Sequence, residues 1–333
     1  MEGAAVSAAT YDQVRHVIPE VEWALFEPEI EAIQRLKREQ DAVILAHNYM
    51  TPEVFHGVAD IVGDSLALAR EAQHVEAGTI VLAGVHFMAE TAKLLNPGKR
   101  VLLPDLRSGC SLAESITPDD IAALRRAHPG VPVVTYVNTS AAVKAASDIC
   151  CTSGNAVEVI ESLGTQKVIM IPDQYLARNI AARTGVEVIT HPGACEVHER
   201  FSPKDIDDIR DGHPGVTVIA HPECPPEVVA VSDFAGSTAQ MIDFVTERKP
   251  LKVALITECS MSDNVAADHP DVEFVRPCNL CPHMKRNTLT AIRRALETGR
   301  NEITVDPALE VPARRAIERM LAVKTRPEAK DHS

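Results

Sequence analysis

Aromatic residues are scarce in this chain, at 4% with a single tryptophan, and 33 Lys and Arg are outnumbered by 47 Asp and Glu, for a formal net charge of −14. A surface that grips nucleic acid needs clustered cations and usually stacking rings, so both deficits argue against that partner. No apolar run approaches the ~18 residues of a membrane-spanning helix, so no membrane partner is expected. The opening MEGAAVSAAT lacks the basic start and apolar centre of a secretory signal, and a cytoplasmic location is expected. The eight cysteines then read as buried hydrophobes, metal ligands or reactive thiols rather than as a disulfide framework.

What is present is a large apolar fraction, 45% over 333 residues, enough for two or three domains of ordinary size, and an internal repeat. The segment from Thr117, TPDDIAALRRAHPGVPVVTYVNT, and the segment from Ser202, SPKDIDDIRDGHPGVTVIAHPE, share a proline-started helix, an HPGV turn and an apolar strand. Pro118 and Pro203, Gly130 and Gly215, Tyr136 and His221, and Ser153 and Thr238 each stand 85 residues apart. An earlier copy is looser, with Ser65 88 residues before Ser153 and His47 89 before Tyr136. Strands that are nearly all apolar, alternating with helices, imply parallel sheets covered on both faces. The predicted fold is α/β: three parallel-sheet αβα sandwich domains related by a pseudo-threefold axis around a central active site. The expected boundaries are an N-terminal arm over 1–27, repeats over 28–115, 116–200 and 201–281, and C-terminal helices and tail over 282–333. Pro28 suits the first turn of a helix, the segment through Met320 is expected to be helical and solvated, and KTRPEAKDHS reads as a frayed tail.

Three thiols recur with the same period. Cys110, Cys195 and Cys281 stand 85 and 86 residues apart, in SGC, GAC and NLC, whereas Cys150 and Cys151 lie inside an apolar run. Three thiolates suit a [4Fe–4S] cluster with one open iron, or a zinc site completed by a fourth ligand such as His283. Cys278 breaks the period, as a spectator, a redox partner of Cys281 or a core residue; Cys224 and Cys259 are expected to pack. Ser65, Ser153 and Thr238 fall at expected helix starts. Capping alone would explain them, but three caps converging on one axis suit a bound carboxylate. His47, Tyr49, Tyr136, Asn138, His221 and Glu223 follow apolar strands, where open parallel sheets present ligands, and Met88 either lines that site or packs.

ILAHNY, GDSLALA, FMAE, YVNT, ICCTSGNAVEV, HPGACEVHERF, HPECP, GSTAQM and CPHMKRNTL occur in that order, and together they resemble the quinolinate synthases, iron–sulfur enzymes of NAD biosynthesis. The resemblance implies a [4Fe–4S] cluster held by Cys110, Cys195 and Cys281, with its fourth iron free to act as a Lewis acid. It implies condensation of iminoaspartate with dihydroxyacetone phosphate, releasing phosphate and two waters to form quinolinate. It also implies that His47, Tyr136, Asn138, His221 and Glu223 contact substrate, as Ser65, Ser153 and Thr238 are suited to do. Tyr49 and Glu223, with His221, are the expected catalytic groups, Glu223 as a base. A transient contact with the enzyme that makes the unstable imine is a further expectation. Some relatives carry C-x-x-C-x-x-C at the last ligand; here only Cys278 and Cys281 remain, and a disulfide between them would eject the cluster.

Overall fold

The structure is a computed structural model that describes residues 10–324. It contains three four-stranded sheets, each wholly parallel and flanked by helices. The first comprises β1 (Ala42–His47), β2 (Ile61–Gly63), β3 (Thr79–Ala83) and β4 (Arg100–Leu102) in the order β2-β1-β3-β4. The second repeats that order with β5 (Val133–Tyr136), β6 (Ile149–Cys151), β7 (Lys167–Ile171) and β8 (Glu187–Thr190). The third does so with β9 (Thr217–Ala220), β10 (Phe234–Ala235), β11 (Lys252–Ile256) and β12 (Glu273–Val275). In each sheet the chain leaves its first strand to one side and returns to the other, so β1, β5 and β9 stand where the strand order reverses. Ligands of open parallel sheets bind beyond the carboxyl ends of such strands.

The central strands are apolar because helices cover both faces: Ile44, Leu45, Val133, Val134, Val218 and Ile219 are all 0% exposed. Their amino ends are held by a repeated aspartate. Asp60 accepts a hydrogen bond from Ile44 N at 2.8 Å, Asp148 from Val133 N at 2.7 Å and Asp233 from Val218 N at 2.7 Å. Each also pairs with a cation, Lys37 at 2.7 Å, Arg125 at 2.9 Å and Arg210 at 3.2 Å. The repeated aspartates therefore anchor strands at the end away from the site. The HPGV turns behave as read: Gly130 and Gly215 have φ of 78° and 79°, a region where a side chain is strained. Thr117 and Ser202 close capping boxes with Asp120 and Asp205.

Two expectations are corrected. The helix Glu20–Glu39 holds Pro28 inside it rather than in its first turn, so the segment boundary after residue 27 falls mid-helix. Proline removes one backbone donor, but apolar burial of Trp23, Ile30 and Ile33 along the same helix outweighs that loss. Nor is the segment through Met320 merely solvated. The helix Pro307–Ala322 buries Ala313, Ala316, Ile317 and Met320 in the largest apolar core, its alanines permitting close approach to the helix Ala141–Ala146. The tail expectation falls, beyond Lys324, outside the described residues. Among them no helix is long and apolar enough to cross a membrane.

Candidate active site

The carboxyl ends of the three central strands face one cavity of about 70 Å³. His47 and Tyr49 reach it from the end of β1, Tyr136 and Asn138 from β5, and His221 and Glu223 from β9. Ser65, Ser153, Thr238, Cys110, Cys195 and Cys281 line it as well, so the structure brings every predicted site residue to one place. Met88, with Val85, Phe87 and Met284, forms its apolar wall. The three repeats meet closely here. A Cβ on Gly154 would lie 3.2 Å from Ser237 Oγ and 3.7 Å from Asp64 Oδ2, so the second repeat comes within van der Waals distance of the other two at this glycine.

The three hydroxyl residues are not caps. Asp64 and Ser237 cap the helices Ser65–Ala72 and Thr238–Arg248, accepting from Ala67 N and Gln240 N. Ser65 and Thr238 are therefore first helical residues, with their hydroxyls free of the capping role. Ser153 lies in the turn before the helix Ala156–Ser162, a turn held by Asn155 Oδ1 accepting from Thr152 N at 2.8 Å. The convergence expected of them is present, without the capping.

Each cavity thiol precedes a helical turn, and two backbone N–H groups of that turn point at its sulfur. They come from Leu112 and Ala113 for Cys110, from Val197 and His198 for Cys195, and from His283 and Met284 for Cys281. The donors are thus the second and third residues after the cysteine in all three cases. Burial nevertheless pushes Cys110 up to about 12, Cys281 up to about 11 and Cys195 well above the usual thiol range. Without a cation such thiols stay protonated at neutral pH; a bound metal deprotonates its thiol ligands outright. Oriented N–H groups then help hold the sulfur charge. A three-thiol metal centre fits this donor set.

Around the thiols runs a buried polar network. Glu223, 3% exposed, accepts hydrogen bonds from Tyr136 OH and from His198 Nδ1 at 2.8 Å. Burial opposes its charge, whereas the hydrogen bonds that His198 and Tyr136 donate to it favour the carboxylate form. A carboxylate can only accept, which places the His198 proton on Nδ1. His198 Nε2 then accepts from Thr257 Oγ1 at 2.9 Å, and Thr257 in turn accepts from Tyr49 OH at 2.6 Å. Burial lowers His47 to about 4 and His221 to about 3. Their Nδ1 atoms accept from Tyr49 N at 3.1 Å and Glu223 N at 3.2 Å, so both rings are neutral and turn Nε2–H outward. Asn138 Oδ1 is buried with no protein partner among the described residues. An orphaned acceptor costs free energy unless something donates to it, and it borders the cavity.

His198 and Thr257 escaped sequence reading. His198 stands three residues after Cys195, one helical turn along, a spacing that would have placed it beside the sulfur; its Nδ1 is 3.2 Å from Cys195 Sγ. Cys195, His198 and Glu223 also form a group able to hold a metal ion by themselves. His283 is turned to Glu196, with Nε2 2.9 Å from Oε1. Cys150, Cys151 and Cys224 are 0% exposed and pack as expected. Cys259 does more than pack: its sulfur lies 2.7 Å from that of Cys278.

Residues 31–322 match the family model described as Quinolinate synthetase A protein. The chain belongs to the quinolinate synthase family. The quinolinate synthase of Agrobacterium fabrum is 68% identical over 317 residues, covering 95% of this chain and 92% of that protein. The quinolinate synthase of Xylella fastidiosa (strain Temecula1) is 70% identical over 298 residues, 90% of this chain and 88% of that protein. Quinolinate synthase 1 of Mesorhizobium japonicum is 67% identical over 317 residues, with 95% and 98% coverage. The repeat, the thiols and the network thus lie within the part of the chain that the family model spans.

Proposed function

We propose that this quinolinate synthase condenses iminoaspartate with dihydroxyacetone phosphate to quinolinate in cytoplasmic NAD biosynthesis, with loss of phosphate and two waters. The observation that carries this reading is the threefold thiol arrangement at one cavity, with paired N–H groups behind each sulfur. Cys110, Cys195 and Cys281 would hold a [4Fe–4S] cluster. Three protein thiolates leave one iron open, and when bound such a centre supplies a Lewis acid for loss of a hydroxyl group.

The chain's own residues account for the rest. Neutral His47 and His221 present Nε2–H donors, and the Ser65, Ser153 and Thr238 hydroxyls lie at or just before helix starts, so carboxylate and phosphate oxygens meet donors from all three repeats. Tyr49 moves protons between substrate and this network: as its oxygen takes one from substrate, its own proton passes through Thr257 to His198 Nε2, and the reverse movement returns it. Glu223 keeps His198 in the tautomer this path needs, and serves less as a free base than as the fixed anion of the network, because its carboxyl is held ionised. The apolar wall of Val85, Phe87 and Met88 limits water around a hydrolysable imine. An iminoaspartate-producing enzyme would supply that substrate by brief contact. Cluster-loaded protein mixed anaerobically with both substrates should form quinolinate and phosphate in equal amounts, measured by chromatography. Dehydration of simple hydroxy acids without quinolinate would replace this reading with that of a cluster hydro-lyase.

A further inference from the structure

We propose that Lys285 and Glu258 are a positioning pair that fixes Tyr49 and the Cys281 loop relative to one another. Neither residue lines the cavity, yet their contacts end on residues that do. Lys285 Nζ lies 2.8 Å from Glu258 Oε1 and donates to the backbone carbonyl of Tyr49 at 2.9 Å and to Ser260 Oγ. Glu258, with its side chain fully buried, accepts from Cys281 N at 3.4 Å and from Ser260 N at 2.9 Å.

The chain order makes this a closed circuit. Tyr49 follows β1 of the first repeat. Thr257 and Glu258 follow β11 of the third, and Cys281 and Lys285 lie on the loop beyond β12. Thr257 binds the hydroxyl of Tyr49 at 2.6 Å while Lys285 binds its carbonyl, so the tyrosine is held at both ends, by Thr257 directly and by a lysine paired with the adjacent Glu258. Asn264 Nδ2 anchors the same segment, donating to Asn48 O at 3.0 Å and Met50 O at 2.7 Å, as does Thr238, which accepts from Asn48 Nδ2 at 2.9 Å. A buried ion pair is a poor source of net stability, since both charges lose their hydration. What it provides here is geometry: one cation and one anion join a proton-bearing side chain from one repeat to a thiol loop from the end of another. A displacement of about 1 Å at a reacting group is enough to cost about 10²-fold in rate.

This inference rests on the reading of Tyr49 and Cys281 given above, and two readouts separate its failure from that of the reading. The variants are Lys285→Met, Tyr49→Phe and the pair together, with kcat, KM and the rate at which bound metal passes to a chelator measured for each. Lys285→Met should lower kcat about 10²-fold with KM changed less than about threefold, and should release metal about tenfold faster. Added to Tyr49→Phe it should lower kcat by no more than about threefold further, because residues acting through one another are not additive. Lys285→Arg, which keeps the charge, should restore most of kcat. Unchanged kcat and metal release in Lys285→Met, or losses that multiply in full with those of Tyr49→Phe, would overturn the proposal. If Tyr49→Phe alone turns over normally, the proton-transfer reading of Tyr49 fails, and metal release still judges the link to Cys281. Glu258→Gln keeps the side-chain volume and carries the same expectations should the methionine variant not fold.

Discussion

Replacing Glu223 with glutamine is expected to lower kcat by about 10²-fold, the scale for a mispositioned reacting group, with the bound metal retained. Glu223 is the one anion shared by Tyr136 and His198. An amide of the same size accepts at one terminal atom and donates at the other, so it cannot take both hydrogen bonds and carries no charge to fix His198 with its proton on Nδ1. The path from Tyr49 through Thr257 then loses its terminal acceptor. Because the thiols and their N–H groups lie on other segments, the metal should stay. Steady-state kinetics with iron analysis of the same preparation checks this; near-normal turnover with intact metal content would remove Glu223 from the mechanism.

Replacing Cys195 with alanine should reduce bound metal to below about a tenth of the wild-type content and abolish quinolinate formation, with secondary structure unchanged by circular dichroism. The three thiols lie on three turns that follow different sheets, and they pack at the margin of the largest apolar core while its buried members are other residues. Loss of one ligand therefore leaves a folded protein with two thiols, too few to retain a cluster. Cys150 supplies the contrast. It is fully buried in β6, and its replacement with serine buries a hydroxyl at a cost of about 1–3 kcal/mol without loss of metal. Metal loss from Cys150→Ser equal to that from Cys195→Ala would contradict the assignment of ligands by position.

The repeat was legible because apolar strands and HPGV turns recur at a fixed spacing, and the three sheets share one strand order. Residues that follow the central strands were legible for the same reason: the polar pair after each strand is periodic. The misreadings have local causes. Ser65 and Thr238 looked like caps because serine and threonine favour that position, yet the preceding Asp64 and Ser237 fill it. Pro28 looked like a helix start because its cost in a helix interior is ordinarily decisive, whereas here burial on both sides of it carries the helix through. His198, Thr257, Glu258 and Lys285 act through contacts that the period does not disclose, although the acid Asp173 stands 85 residues before Glu258 at the same point after its strand. Their roles arise from contacts between loops of different repeats, such as the 2.6 Å hydrogen bond between Tyr49 and Thr257, 208 residues apart in sequence, and no pattern within one repeat encodes such a contact.

The most direct test of the site is its metal content after purification without oxygen, with iron, acid-labile sulfide and zinc measured per chain. Three convergent thiols backed by paired N–H groups predict about four irons and four sulfides, as one [4Fe–4S] centre requires, with zinc negligible and the iron falling below about a tenth of that in Cys195→Ala. Stoichiometric zinc without sulfide, persisting after attempted cluster reconstitution, would contradict the cluster and leave Cys195, His198 and Glu223 as the ligands to examine.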